Sequence, residues 1–96
     1  MRLLVTGAWK NAEKNIDLLE KMGHEVVFLQ NEQNKIPCLE TWVEGIICNG
    51  FFFYHQIERF TNLKYIQLTS VGTERVPLEY IKDNNIQLKN AGSTYS

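Results

Sequence analysis

Short apolar runs alternate with longer segments of helical spacing, and this alternation constrains the fold more than any other feature of the sequence. The apolar runs cover residues 3–5, 26–29, 46–48, 65–68 and 86–88. Connections long enough to hold a helix return the chain to the same end of the sheet and therefore join parallel strands. The sequence predicts an α/β fold, a flavodoxin-like three-layer sandwich around a five-stranded parallel sheet with the strand order 2-1-3-4-5.

The segment between the first two apolar runs has the clearest helical period. Ala12, Ile16 and Leu19 recur at positions i, i+4 and i+7, and the charged residues lie mostly on the opposite face. This spacing predicts a helix over residues 12–22. Gly23 ends it, because glycine adopts the left-handed backbone that follows a helix without steric strain.

Two further helices are predicted later in the chain. Phe53, Ile57 and Phe60 repeat the same spacing and predict a helix over residues 54–60. Pro77 opens a short third helix, where its missing N–H group costs nothing. The residues of this third helix that we expect to face inward are Leu78 and Ile81.

Composition excludes several classes of protein. The length of 96 residues suits one domain. With 10 basic and 11 acidic residues, the net charge is −1, so the chain has no excess of positive charge that would attract nucleic acid or an anionic membrane. No apolar run approaches the roughly 20 residues that span a bilayer. Cys38 and Cys48 are too few for a disulfide framework or a structural metal cage. We therefore expect a cytoplasmic protein with reduced thiols and no metal.

The turn after the first strand does not fit a phosphate-binding motif. A dinucleotide fingerprint needs three glycines, whereas this turn has only Gly7, with Trp9 and Ala12 at the other two positions. A phosphoryl-receiver domain would need acidic residues after the first and third strands, where the chain has Thr6 and Asn49 instead. We interpret this segment as a plain strand-to-helix turn.

The turn after the fourth strand, residues 69–77, is the most informative. Small residues at the carboxyl end of a strand, just ahead of a helix, direct backbone N–H groups toward an incoming anion. Gly72 would let a ligand approach the backbone closely. The pattern fits a carboxylate site, and it fits a tight turn before a capped helix equally well.

Other reactive side chains give weaker indications. His24 is expected to face solvent, and His55 has no carboxylate at a recognisable spacing to orient it as a general base. Cys48 has the position of a nucleophile, but a buried structural thiol is the favoured interpretation. Aromatic residues 51–54 suit a core better than a base-stacking surface. Arg75 is either a carboxylate ligand or a solvated charge.

Residues 65–81 and 86–92 together resemble the D-isomer-specific 2-hydroxyacid dehydrogenases, especially members labelled phosphoglycerate dehydrogenase-like. The shared motif is a Ser/Thr-small-Gly-Thr-acidic loop, a short helix and a strand that ends in Asn. The resemblance covers nearly the whole chain and is strongest over residues 63–95. It implies that the chain is the N-terminal part of the catalytic, substrate-binding domain, without the family's NAD-binding domain or its catalytic Arg, Glu and His.

The resemblance also implies a function and a set of site residues. In the full-length protein, hydride would pass between a 2-hydroxy acid and NAD or NADP. Backbone amides of Val71 and Gly72 would hold the substrate carboxylate, with Ser70 and Thr73 on either side. The other residues expected to face this cleft are Asn49, Gly50 and Tyr95.

Three expectations concern the chain by itself. It should bind no NAD and catalyse no turnover, because the nicotinamide site and the acid–base group lie outside it. The full-length family protein is expected to be a homodimer. The chain alone, lacking the helix that covers the family's substrate-binding domain, should expose apolar sheet surface and self-associate. The alternative function is a stand-alone, non-catalytic flavodoxin-like module for a small anion or a protein partner.

Overall fold

A computed structural model describes residues 1–92 and places five parallel strands in one sheet, in the order β2-β1-β3-β4-β5. Every neighbouring pair of strands is parallel. The strands are β1 (Arg2–Thr6), β2 (Glu25–Leu29), β3 (Gly45–Cys48), β4 (Tyr65–Leu68) and β5 (Gln87–Lys89). The fold class and strand order predicted from the sequence are thus confirmed.

Two α-helices and three short 3₁₀ helices connect the strands. Helix α1 (Ala12–Lys21) links β1 to β2, and Gly23, just after its C-cap Met22, has a φ of +95°, which confirms the predicted left-handed backbone. Helix α2 (Leu78–Asp83) links β4 to β5. The 3₁₀ helices cover Glu40–Trp42, Phe51–Phe53 and Ile57–Arg59. None of the helices in residues 1–92 combines the length and the apolar character needed to cross a bilayer.

The predicted helix over residues 54–60 is wrong. One 3₁₀ turn ends at Phe53, before this segment, and another covers Ile57–Arg59, while Gln56 between them has extended backbone angles. Phe53, which the helical spacing directed inward, is 64% exposed, whereas Phe51 is completely buried. The ring of Phe51 packs edge-on against Phe60 at 5.6 Å between centroids. Phe51 and Phe60 therefore supply aromatic rings to the core. Two residues nine positions apart do not lie on one face of a helix.

Apolar side chains fill both sides of the sheet. On one side, Ala12 of α1 packs with Val5 and Ile47. The larger core on the other side contains residues from the sheet, both 3₁₀ turns after β3 and helix α2, including Leu4, Ile46, Ile66, Phe51, Phe60 and Ile81. Because side chains alternate along a strand, the two clusters lie on opposite faces and form the predicted three layers.

Helix α2 buries one of its two predicted inward residues. Ile81 is buried, as expected, but Leu78 is 48% exposed. Val76, which precedes the helix, is buried in the core at the point where the chain enters it. Val76 therefore supplies the apolar contact that the sequence pattern assigned to Leu78.

Candidate functional site

The loop between β4 and α2 lies at the carboxyl edge of the sheet and is anchored from two sides. Toward β3, the N–H group of Thr69 donates to the carbonyl oxygen of Cys48 at 2.9 Å. Toward the segment after β5, Ala91 N–H donates to the Ser70 carbonyl at 3.0 Å, and Asn90 Nδ2 donates to the Val71 carbonyl at 2.7 Å. These last two bonds use the carbonyl groups of the loop.

The N–H groups of the same loop remain available. Among residues 1–92, no acceptor engages the backbone N–H of Val71 or Gly72. The side chain of Val71 is 64% exposed, so solvent reaches this part of the loop. A loop whose carbonyls are engaged and whose amides are unengaged presents donors to an incoming acceptor.

The Glu74 side chain occupies the space beside Gly72. A Cβ atom at this position would lie 2.6 Å from the Glu74 carboxylate oxygen Oε1, so a larger residue would displace this exposed side chain. The Glu74 carboxylate therefore lies against the loop that carries the two unengaged amides. Thr73 begins the following turn, with its carbonyl oxygen accepting from Val76 N–H at 3.4 Å.

A cluster of three polar side chains joins the loops that follow β3 and β4. The Ser70 hydroxyl donates to Asn49 Oδ1 at 2.9 Å. Arg75 Nη1 donates to the same Asn49 oxygen at 3.3 Å and to Ser70 Oγ at 3.2 Å. The structure thus brings together two predicted site residues, Asn49 and Ser70, and adds Arg75 to them.

The turn Asn49–Gly50 is bound by an internal carboxylate. Glu32 Oε2 accepts from the backbone N–H of Asn49 at 2.8 Å, and Oε1 accepts from the N–H of Gly50 at 2.8 Å. Glu32 Oε2 also accepts from the Thr6 hydroxyl at 2.7 Å. Gly50, a predicted substrate-binding residue, is therefore buried with its N–H group already engaged.

Glu32 is a structural residue that sequence reasoning missed. It lies in the polar loop after β2, 17 and 18 residues from the amides it binds. An acidic residue in a polar loop has no local pattern that distinguishes it from a solvated one. The only usable signal is the strand order, which places the ends of β1, β2 and β3 side by side.

His55 supports the same loop. Its Nε2 atom lies 2.6 Å from the carbonyl oxygen of Glu32, and its ring stacks on Phe51 with 4.3 Å between centroids. Because a carbonyl oxygen only accepts, Nε2 carries a proton and donates it. This contact gives His55 a structural role at its Nε2 atom and does not support the interpretation as a general base.

Both cysteines favour the protonated thiol over the nucleophilic thiolate. Burial raises the pKa of Cys48 well above its usual range. Burial, followed by the charge of Glu40, raises the pKa of Cys38. A nucleophilic cysteine needs the opposite shift, toward the thiolate. The geometry therefore favours the buried structural thiol at Cys48.

In the turn after β1, the backbone N–H of Gly7 already has a hydrogen-bond acceptor. The N–H group of Gly7 donates to the carbonyl oxygen of Leu29 at 2.9 Å, which continues the pairing of β1 with β2. A Cβ on Gly7 would collide with the backbone of Gln30. Gly7 is needed because the backbone of Gln30 passes close to it. This favours the plain turn over a phosphate-binding site.

Tyr95, one of the predicted site residues, lies outside the described residues. Within residues 1–92, His, Cys, Asp and Glu side chains form no group of three or more that could hold a metal ion.

Comparison of the sequence with models of known protein families and with curated proteins gives no match. Comparison of the structure with solved structures gives matches that cover nearly all of the chain. One is the TT0316 protein of Thermus thermophilus, with 26% identity and a TM-score of 0.68 over 92% of this chain.

Two others are dehydrogenases. The NAD-dependent formate dehydrogenase of Staphylococcus aureus, solved in complex with NAD, is 22% identical with a TM-score of 0.69 over 94% of the chain. The D-lactate dehydrogenase of Salmonella is 20% identical with a TM-score of 0.64 over 97%. The chain carries the fold of a dehydrogenase domain. This confirms, at the level of fold, the resemblance to the D-isomer-specific 2-hydroxyacid dehydrogenases.

The chain corresponds to only part of each of these proteins. It covers 29% of the Thermus chain, 32% of the formate dehydrogenase and 30% of the D-lactate dehydrogenase. The greater part of each of these three proteins therefore has no counterpart in the 96 residues of this chain.

Proposed function

We propose that this chain is the N-terminal part of the substrate-binding domain of an NAD-dependent D-2-hydroxyacid dehydrogenase. In this proposal, the loop of residues 70–73 holds the carboxylate of the 2-hydroxy acid. Two observations support it. The fold is shared with a D-lactate dehydrogenase, whose named substrate is a 2-hydroxy acid. The loop also lies at the carboxyl edge of a parallel sheet, where α/β proteins bind their ligands.

The proposal depends most on the unengaged N–H groups of Val71 and Gly72. A carboxylate has two oxygens that accept hydrogen bonds, and adjacent backbone amides form a concave donor surface of matching size. Such charge-assisted bonds are shorter and stronger than neutral ones. Binding by backbone groups also leaves the C2 carbon and its hydroxyl directed away from the loop.

NAD or NADP would supply hydride chemistry from a part of the full-length protein outside this chain. The residues described here contribute binding and orientation, which fix the substrate carbon relative to the cofactor. We therefore infer that the 96-residue chain alone is inactive. Oxidation of NADH by the isolated chain with a 2-oxo acid, above a no-enzyme control, would contradict this inference.

The binding proposal is tested by amide NMR of the isolated chain titrated with D-lactate. We expect saturable shifts centred on the amides of Val71 and Gly72, with a Kd on the order of 1 mM, since few contacts are made. The matched control is D-lactamide, which keeps the hydroxyl and loses the charge, and it should leave these amides unmoved. Shifts that avoid Val71 and Gly72, or equal shifts with both ligands, would overturn the proposal.

A further inference from the structure

Arg75 is a half-buried cation that has no acidic partner among residues 1–92. The ion pairs in that part of the chain join Arg2 and Lys64 to Glu44, and Arg59 to Glu40. Arg75 instead donates from Nη1 to two neutral oxygens, those of Asn49 and Ser70. A partly desolvated guanidinium with neutral partners retains its full positive charge and attracts an anion.

The hydrogen bonds of Arg75 determine which donors remain. Within the described residues, no acceptor engages its Nε or Nη2 atoms, nor the Nδ2 atom of Asn49. Nε and Nη2 form the side of the guanidinium that presents two parallel N–H groups, the geometry that matches the two oxygens of a planar carboxylate. The Nη1 bonds hold this fork in place before any ligand arrives.

The position of the cluster relates it to the substrate loop. Ser70, which accepts from Arg75, directly precedes Val71, so the guanidinium contacts the residue that leads into the proposed carboxylate site. Arg75 also lines an open groove of about 540 Å³ between residues 52–58 and 74–77. Arg75 is the residue that this groove shares with the cluster of Asn49 and Ser70. The groove has two acidic side chains as well, Glu58 and Glu74, and both are exposed and able to rotate into solvent.

We propose that Arg75 and Asn49 form a second carboxylate subsite, and that the preferred ligand is a 2-hydroxy acid with two carboxylates. This inference rests on the proposed function, because the first carboxylate is the one assigned to Val71 and Gly72. The two amides of that loop suffice for the oxygens of one carboxylate. The Nε and Nη2 donors of Arg75, which Nη1 fixes beside Asn49 and Ser70, then remain for a second carboxylate.

The test compares D-lactate with D-malate, which adds one carboxylate to the same 2-hydroxy acid unit, by amide NMR titration of the isolated chain. We expect D-malate to bind about tenfold more tightly, the gain typical of one added charge-assisted contact. Arg75→Gln should abolish this preference, because it weakens D-malate about tenfold more than D-lactate, for which it removes only a neighbouring charge. Arg59→Gln, which removes the same charge at an exposed site, should keep the preference.

The outcomes separate the two proposals. Binding of D-lactate at Val71 and Gly72 without a preference for D-malate would overturn the second subsite and leave the proposed function standing. Absence of binding by both acids would overturn both. An equal weakening of both acids in Arg75→Gln would show that Arg75 binds the first carboxylate, which also overturns the second subsite. The comparison of ligands on the unaltered chain decides the question even if Arg75→Gln folds poorly.

Discussion

Glu32 connects three separate parts of the chain through one carboxylate. It accepts from the Thr6 hydroxyl at the end of β1 and from the backbone amides of Asn49 and Gly50 after β3. Every one of these partners is a donor. An amide side chain at this position would bring its own donor group against one of these donors, because only one of its two ends accepts.

Glu32→Gln is therefore expected to lower the free energy of unfolding by about 1–3 kcal/mol, the cost of leaving a partly buried donor unsatisfied. Urea denaturation measures this change. Glu58→Gln is the control, since Glu58 is exposed and makes no hydrogen bond or ion pair with the described residues. Equal urea midpoints for the two variants would contradict the role assigned to Glu32.

Glu32 stabilises the loops around the proposed site, whereas Glu74 opposes the binding of a carboxylate there. Its carboxylate lies against Gly72, beside the amides assigned to the substrate. A negative charge there repels an incoming carboxylate, although solvent screening keeps the effect small because the side chain is exposed.

Glu74→Gln should therefore tighten the binding of D-lactate by about two- to fivefold, with a smaller gain at high salt. Amide NMR titration at two salt concentrations measures both effects. Glu79→Gln, an exposed change of the same charge in the first turn of α2, should have little effect. A matching gain in Glu79→Gln would show that net charge, rather than the position of Glu74, controls the affinity.

At the residue scale, the sequence predicted the local features of the site better than its long-range contacts. The loop after β4 was noticed because small residues after a strand are visible within a few positions, and the carboxylate role that the family resemblance gives Val71 and Gly72 stays a prediction. The roles of Glu32 and His55 were missed because their partners lie 17 to 26 residues away. Arg75 remained ambiguous, because its two hydrogen bonds depend on how the β3 and β4 loops meet.

At the scale of elements, strands were easier to predict than helices. All five strands appear where apolar runs predicted them, with ends that differ by no more than one residue. The segment after β3 was mispredicted because two contacts hold it outside a helix. Glu32 binds the amides of Asn49 and Gly50 at its start, and His55 is bonded to the Glu32 carbonyl. These contacts override the i, i+4, i+7 spacing.

The amino ends of β1, β3 and β4 are joined by Glu44. Its side chain accepts from the backbone N–H of Arg2 at 2.9 Å and lies 3.6 Å from Lys64 Nζ. The hydrogen bond from Arg2 N–H, helped by the charges of Arg2 and Lys64, lowers the pKa of Glu44. A carboxyl whose pKa is lower in the folded chain stabilises the fold above its unfolded pKa, and this contribution disappears as pH falls through the folded value.

The fold should therefore lose stability as pH drops below about 5, and Glu44→Gln should lose less over the same interval. The melting temperature at neutral pH and at about pH 4 measures this difference for both chains. Glu25→Gln is the control, since Glu25 is exposed near the same edge of the sheet. If Glu44→Gln and the unaltered chain show the same fall in melting temperature, the Arg2–Glu44–Lys64 contacts contribute nothing to acid sensitivity.

At the scale of the molecule, the topology followed from the sequence because parallel crossovers leave few arrangements of five strands. The functional assignment required more than topology, since one α/β fold supports many activities. The strand order locates the carboxyl edge, and the engaged or unengaged state of each backbone amide then distinguishes the loops. By this criterion the loop after β4 differs from those after β1 and β3, where the corresponding amides are bound internally.

The two faces of the sheet are covered unequally. Helix α1 packs over β1 and β2, whereas α2 and the 3₁₀ turns after β3 pack on the opposite face. Beside α1 the structure leaves an open, largely apolar hollow of about 460 Å³, whose lining includes Leu3, Ile47 and Tyr65. An uncovered apolar surface on a small domain favours association, because contact with a second copy removes it from water.

We therefore propose that the isolated chain self-associates through this hollow, and sedimentation equilibrium across a range of concentrations measures it. Ala91→Glu introduces a charge at an exposed residue of the hollow and should weaken the association by about tenfold, because the carboxylate loses hydration in the contact. Leu39→Glu is the control, since Leu39 is 76% exposed and lines a different depression. A monomer at all concentrations would contradict the proposal, and equal weakening by both variants would assign the association to another surface.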